Sequence, residues 1–140
     1  MPLSSSARFR YAIDPRSRLA VARMAGTLTG ADMQLIVRTV HQDPAWDVGC
    51  DAIWDCSEVA AHVVQPPEVE PLISEVVDGQ TGRDILLSGP GLSAELFSKL
   101  LVLRLRRRGD AAERVQTLDE ALAALGRDTM PAVVREVLSG

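Results

Sequence analysis

The densest group of reactive side chains lies between residues 55 and 62, where Asp55, Cys56, Ser57 and His62 follow a short apolar run. Cys56 or Ser57 as nucleophile, His62 as base and Asp55 as orienting carboxylate could together support nucleophilic catalysis. No nucleophile-elbow glycines surround Ser57, and Cys56 equally suits a small buried residue while Asp55 caps nearby backbone. We therefore predict no catalytic activity and keep Asp55, Ser57 and His62 as candidate binding residues.

The two cysteines, Cys50 and Cys56, could be metal ligands together with His62. Their spacing is not a recognised zinc spacing, and no fourth ligand is evident. If the residues between them form an extended strand, the cysteines lie about 20 Å apart, too far for one metal or one disulfide. The sequence therefore predicts neither a metal nor another cofactor.

A glycine-rich turn, Ser88-Gly89-Pro90-Gly91-Leu92-Ser93, joins a predicted strand to a predicted helix. Such a turn can present free N–H groups to an anion, which makes Ser88, Gly89, Gly91 and Ser93 candidate binding residues. The turn is neither a P-loop nor a dinucleotide-binding fingerprint. A tight strand-to-helix connection is the simpler interpretation.

The long predicted helix has a basic C-terminal end formed by Lys99, Arg104, Arg106, Arg107 and Arg108. Cations there complement the helix dipole by about 0.3–1 kcal/mol each, which accounts for some of them. Four arginines in five positions exceed what capping needs. Arg106 and Arg107 are therefore candidate contacts for an acidic partner or a lipid headgroup.

The surrounding elements alternate between the periodicities of strands and helices. An opening hairpin followed by this alternation predicts an α/β fold with a mixed sheet of four to five strands, a mainly parallel centre and helices packed on it. The predicted elements are strands over 9–14 and 19–24, a helix between the cap Thr29 and Pro44, a strand over 52–54, an irregular segment over 60–67, a helix over 68–77, a strand over 84–88, a helix over 93–107, a strand over 114–116, a helix over 118–125 and a last short helix from Pro131.

Two predicted helices have apolar residues whose packing bears on function. The helix over 93–107 is expected to pack inward through Leu96, Phe97, Leu100, Leu101 and Leu103. The last helix has an apolar stripe that docks on its own domain or covers a neighbouring subunit. The stripe consists of Val133, Val134, Val137 and Leu138.

The chain resembles the SpoIIAA-like branch of the STAS superfamily, the fold of anti-sigma-factor antagonists. The resemblance spans about Phe9 to Gly126. It is carried by Gly26-Thr27-Leu28-Thr29, by the Asp43-Pro44 turn, by Ile53-Trp54-Asp55-Cys56-Ser57-Glu58-Val59 and by Val115-Gln116-Thr117-Leu118-Asp119-Glu120-Ala121-Leu122. It implies a STAS-like domain over 8–126, preceded by a disordered stretch over 1–7 and followed by a helical extension over 127–140. It also implies a binding or regulatory module, often dimeric, without obvious catalysis.

The chain departs from this family where phospho-regulated members have a serine-containing helix start. Residues 60–66 read Ala-Ala-His-Val-Val-Gln-Pro and contain no hydroxyl side chain. Ser57 matches the serine at the strand end rather than the phosphorylated one. A phosphoserine switch at that place is therefore expected to be absent.

Composition narrows the partners and the location. The net charge of −4 argues against a broad nucleic-acid footprint. Residues 1–10 lack the apolar core of a signal peptide, and no run approaches the ~20 apolar residues of a membrane span. We expect a cytoplasmic protein, with a protein partner and homodimerisation.

Three functions are compatible with these observations. The first is a non-enzymatic module whose recognition edge comprises Asp55, Ser57, the following loop and the helix near Ser93. The second is a carrier or sensor of a small apolar or anionic ligand, which predicts a cavity lined by residues such as Phe97, Leu101 and Trp54. The third is a small enzyme using Cys56 or Ser57 with His62. A packed sheet–helix interface would favour the first, a deep apolar pocket the second, and a short contact to His62 the third.

Overall fold

A computed structural model of the chain describes residues 3–76 and 80–139. It confirms the predicted α/β class, with a sheet that opens in an antiparallel hairpin and continues in parallel strands. The strands are β1 (Ala7–Asp14), β2 (Leu19–Thr29), β3 (Asp51–Val63), β4 (Asp84–Leu87) and β5 (Ala112–Val115). The α-helices are α1 (Gly30–Gln42), α2 (Val69–Glu75), α3 (Leu92–Arg108), α4 (Leu118–Ala124) and α5 (Ala132–Leu138), and a short 3-10 turn (Pro66–Glu68) precedes α2.

The strands lie side by side in chain order, β1-β2-β3-β4-β5. Crossovers between parallel strands are right-handed. Because β3, β4 and β5 each lie on the same side of the preceding strand, the helices that connect them are expected on one face of the sheet. The two cores agree with this rule. One core contains residues of α1, α2 and α3, whereas the other contains residues of α4 and α5.

The face covered by α1, α2 and α3 carries the larger core, which includes Trp54 and Leu86 from the sheet. The opposite face packs Ile53 and Ile85 against α4 and α5. In α5, Val134 and Val137 are buried in that second core, while Val133 is half-exposed. The stripe of α5 therefore docks mainly on the sheet of its own chain.

Thr29 caps α1, as predicted, and Asp32 completes a capping box. The side chain of Thr29 accepts the N–H of Asp32 at 3.1 Å, and the Asp32 carboxylate accepts the N–H of Thr29 at 2.9 Å. Asp32 also accepts hydrogen bonds from the N–H and hydroxyl of Ser4. Within the stretch expected to be disordered, Ser4 is thus tied to α1 and Ala7 opens β1, while residues 1 and 2 lie outside the described residues.

The central strands are longer than predicted. The second strand was predicted over 19–24, but β2 continues through Gly26 and a register irregularity to Thr29. Gly26 has φ +85°, and a Cβ there would lie 1.9 Å from the carbonyl oxygen of Ser6. The glycine therefore permits a close backbone approach instead of a strand end. The segment 60–63, predicted to be irregular, belongs to β3 because β2 continues to pair with it up to Val63.

Helix α3 begins one residue earlier than predicted, and its orientation differs from the expectation. Ala94, Ser98, Val102 and Leu105 face the sheet and are buried. Phe97 and Leu101 pack partly against the core, as expected. The prediction was wrong for the other three apolar residues, because the small Ala94 and Ser98 let the helix approach the sheet on a different side. Leu96, Leu100 and Leu103 are exposed.

Helices α2 and α4 differ slightly from the prediction, and α4 ends at Ala124 instead of residue 125. Helix α2 ends at Glu75, and residue 77 of the predicted helix lies outside the described residues. Thr117 caps α4 by accepting the N–H of Glu120 at 3.1 Å. The Glu120 carboxylate accepts a hydrogen bond from the Thr117 hydroxyl at 3.3 Å, so it contacts the side chain of the capping residue.

Candidate functional site

The residues 55–62 do not form one chemical cluster, because Asp55 and His62 lie on opposite faces of the sheet. Asp55 is buried and accepts the N–H of Ser57 at 2.9 Å, and its other oxygen lies 3.7 Å from Nε of Arg23. Arg23 also pairs with Glu58 and donates to the carbonyl of Leu138 at the end of α5. Asp55 therefore belongs to a network that joins β2, β3 and α5.

The expectation that Asp55 and Ser57 end a strand was wrong. The pairing of β3 with β4 ends at Asp55, opposite Leu87, but β3 continues along β2 to Val63. Cys56 and Ser57 form an irregularity within this strand, and Ser57 is exposed.

His62 lies on the face of the sheet that carries α3. Its ring stacks on Phe97, with 4.6 Å between ring centroids and 22° between planes. Nδ1 is buried without a hydrogen-bond partner, and burial lowers the pKa of His62 to about 4. The ring is therefore neutral at neutral pH.

Cys56 is not activated for nucleophilic chemistry. Burial, with a smaller contribution from the negative charge of Asp55, raises the pKa of its thiol to about 12. Within residues 3–76 and 80–139, no hydrogen bond joins His62 to Cys56 or Ser57. The nucleophile–base contact that the enzyme alternative requires is not formed by these residues.

Both cysteines are free thiols, and Cys50 is buried. Across the described ranges, no three histidine, cysteine, aspartate or glutamate residues come together in an arrangement that could hold a metal ion.

The glycine-rich turn holds α3 close to the sheet. A Cβ on Gly89 would lie 2.4 Å from the carbonyl oxygen of Cys56, and Gly91 has φ +93° at the cap position of α3. The Ser88 hydroxyl lies 3.3 Å from that of Ser98. The recess beside the turn is lined by Glu95 as well as Arg114, so a carboxylate faces any anion there. These contacts favour the interpretation as a tight connection.

The basic end of α3 is largely engaged by its own domain. Arg106 donates to the carbonyl of Ala112 at 2.7 Å, and Arg104 pairs with Glu70. Arg108 pairs with Asp110 and donates to the carbonyl of Ile73. Of the two candidate contacts, Arg106 thus secures β5, whereas Arg107 is exposed.

The most unusual surface is the outer side of α3, which exposes a row of leucines. Their exposed fractions are 69%, 59%, 42% and 48% for Leu92, Leu96, Leu100 and Leu103, respectively. Spacings of four, four and three residues place them along one side of the helix, opposite the buried side. We call these four residues the leucine face. A helix that is apolar on both sides is typical of one covered on both sides.

Polar groups border the leucine face. On the helical projection, Lys99 and Arg106 lie along one flank, while Ser93 and Arg104 lie along the other. Beside it runs a groove of about 410 Å³ between α3 and the end of β3. The groove is lined by His62, Val64, Pro66, Val69, Ser93, Leu96, Phe97, Leu100 and Arg104. Of the predicted binding residues, His62 and Ser93 therefore meet at the edge of the leucine face.

Sequence reasoning missed the leucine face because it assigned most of these leucines to the core. The spacing of Ala94, Ser98, Val102 and Leu105 offered the alternative inner side. Small residues in such a row favour close helix–sheet contact. This signal could have predicted that the leucines lie on the outer side of the helix.

A cavity of about 50 Å³ lies between α3 and the sheet, and its lining includes Trp54, Phe97 and Leu101, as the ligand alternative predicted. Asp84 also lines it, accepting Nε1–H of Trp54 at 2.9 Å and an amide N–H of Gln80 at 2.7 Å. Ligand pockets usually measure about 300–1,000 Å³, so this cavity is far smaller than one. The sheet–helix interface is therefore close to fully packed.

A scan against protein-family models finds no match, and a search of curated proteins finds none. In the described part of the chain, no helix combines the length and apolarity needed to cross a membrane.

Proposed function

We propose that this protein is a non-enzymatic binding module that docks a protein partner on the leucine face of α3. The observation that carries the proposal is the exposure of Leu92, Leu96, Leu100 and Leu103 on one side of a helix whose other side packs on the sheet. Large contiguous apolar patches on soluble domains commonly mark interaction sites. A helix face bordered by a groove is a recurrent way of binding a partner helix.

The proposal includes membership of the SpoIIAA-like STAS branch and a cytoplasmic location. It is supported by the sequence pattern and by a sheet that opens in a hairpin and continues in parallel strands. Docking would be reversible and independent of a phosphoserine switch, because residues 60–66 carry no hydroxyl group. A partner that contacts the groove would also contact His62 and Ser93.

A small apolar ligand is a second candidate, favoured by the lining of the internal cavity. Xenon is a suitable probe, because it enters dry apolar cavities of proteins and is smaller than benzene, which a cavity of about 50 Å³ is too small to hold. Under this candidate, the unfolding temperature would rise with xenon pressure. An unchanged unfolding temperature would count against it.

The docking proposal is tested by comparing two lysine substitutions of exposed apolar residues. Leu96→Lys places a charge in the leucine face, whereas Val133→Lys places one on α5 at a similar exposure, 50% against 59%. Each tagged variant captures proteins from a lysate of the source organism, and quantitative mass spectrometry compares the captures with the wild type. We expect partners to be lost with Leu96→Lys and retained with Val133→Lys.

Equal capture by the wild type and Leu96→Lys would contradict docking on the leucine face. Circular dichroism of both variants guards against a folding defect. Neither substitution should unfold the chain, since both sites are largely exposed and lysine is a good helix former.

A further inference from the structure

We propose that the leucine face binds a second copy of this chain, with the two α3 helices antiparallel; this inference rests on the proposed docking function. The leucine spacing is nearly symmetric about a point between Leu96 and Leu100. A two-fold axis at that point places Leu92 opposite Leu103 of the second copy, and Leu96 opposite its Leu100. Every leucine of the face then meets a leucine, as a self-complementary interface requires.

The charges beside the leucine face agree with the antiparallel arrangement. Glu95 and Lys99 lie on one flank, bonded to each other at 2.8 Å, and both are about half exposed. A two-fold axis perpendicular to the helices keeps these side chains on the same flank of the pair. Measured along the helix axis, Lys99 then lies about 3 Å from the level of Glu95 of the second copy. Each Glu95 carboxylate can therefore also contact the Lys99 ammonium group of the other helix.

A parallel pairing would be electrostatically worse. It would bring the exposed Arg107 of one copy against Arg107 of the other, because this residue follows Leu103 by four positions on the same side of the helix. In the antiparallel pairing, Arg107 lies beyond the level of Leu92 of the second copy, and the two copies of Arg107 lie at opposite ends of the pair. Charge therefore selects the antiparallel arrangement, since like charges placed opposite each other disfavour association.

The exposed area indicates a modest affinity. The four leucines of one copy together expose about as much surface as two fully exposed leucine side chains. A pair of such helices lies at the low end of specific interfaces, so we expect a dimer with a dissociation constant in the micromolar range.

Sedimentation equilibrium of the full chain, from low micromolar to submillimolar concentration, tests the proposal. We expect a monomer–dimer equilibrium in the wild type and in the control Val133→Lys. Leu96→Lys should raise the dissociation constant about a hundredfold, because it puts two charges into an apolar contact. A wild type that stays monomeric throughout, or a Leu96→Lys variant that still dimerises, would overturn the proposal.

A charge exchange tests the orientation. Glu95→Lys and Lys99→Glu should each weaken the dimer about fivefold, since each creates two like-charge contacts across the axis. The double variant Glu95→Lys/Lys99→Glu should recover the wild-type dissociation constant. Each single variant also loses the Glu95–Lys99 contact within its own helix. The unfolding temperature of the monomer measures that loss separately from the loss of dimerisation. Failure of the double variant to recover would refute the antiparallel register.

The two proposals can fail separately. If the wild type is monomeric but Leu96→Lys still loses a captured protein, the second copy is excluded and docking of another protein stands. If the wild type dimerises through the leucine face and no other protein is captured, self-association is the docking function.

Discussion

Replacing Asp84 by asparagine should stabilise this protein at neutral pH. Asp84 is 2% exposed at the start of β4, and burial raises the pKa of its carboxyl from 3.8 to about 6. Its hydrogen bonds from Trp54 and Gln80 oppose this rise without cancelling it. The folded state consequently prefers the neutral acid, and ionisation at pH 7 weakens it.

The size of the effect follows from linkage. Because the folded-state pKa lies above the unfolded one, the stability that protonation contributes is fully present below pH 4 and is lost as the pH rises through 6. A rise from 3.8 to about 6 corresponds to about 3 kcal/mol between those limits. A neutral side chain avoids this loss, so Asp84→Asn should gain about 1–3 kcal/mol at pH 7.

The surrounding hydrogen bonds can accommodate asparagine. Its carbonyl oxygen can replace the acceptor that Trp54 Nε1–H now uses. Its NH₂ group can donate to Oε1 of Gln80, which is now buried without a hydrogen-bond partner, once the Gln80 amide rotates by half a turn. The rotation moves Nε2 of Gln80 into the buried place that Oε1 now occupies, so the substitution leaves the number of unpaired Gln80 atoms unchanged.

Urea unfolding followed by tryptophan fluorescence, at several values between pH 4 and pH 7.5, measures the effect. Wild type and Asp84→Asn should differ little near pH 4 and should diverge as the pH rises. Asp128→Asn, which removes an exposed carboxylate, is the matched control and should follow the wild type. A stability difference independent of pH, or an asparagine variant less stable than the wild type at pH 7, would refute the reasoning.

Three further predictions concern packing, backbone and reactivity. Val37→Ile adds a methylene beside the internal cavity and should gain about 0.8 kcal/mol, seen as an unfolding temperature about 3 °C higher; a fall would show that the cavity lacks room. Gly26→Ala should cost about 2–4 kcal/mol in urea unfolding because of its positive φ and the nearby Ser6 carbonyl, and a neutral result would disprove the close approach. With a pKa of about 12 against 9, Cys56 should react with a thiol reagent about a thousandfold more slowly in the folded Cys50→Ala variant than in the same variant unfolded in urea; equal rates would exclude the burial effect.

Local signals in the sequence were sufficient to predict most elements. Thr29 marked the start of α1, and Pro44 marked its end, because capping and proline geometry act within a few residues. The strand predicted over 84–88 contains the apolar run Ile85-Leu86-Leu87, which is typical of a strand covered on both faces, and every residue of β4 is buried. These features depend little on the rest of the chain.

The candidate site could not be predicted because its geometry depends on distant partners. Whether 60–63 extends β3 is decided by the length of β2, which continues beyond Gly26. The same pairing places Asp55 and His62 on opposite faces, so residues close in sequence cannot act together. In α3, apolar residues on all sides left the inner side undetermined until the sheet selected Ala94 and Ser98.

The strand order explains why function is better sought on a helix than at a strand end. Ligands of open parallel sheets bind where the strand order reverses, and this sheet, in chain order throughout, has no reversal. The three crossover helices instead lie side by side, each with an outer surface. The outer surfaces of α1 and α2 expose polar residues such as Arg38, Gln42, Glu70 and Ser74. Among these three helices, α3 alone exposes a row of leucines. Its outer surface is therefore the one of the three that is best suited to docking a partner.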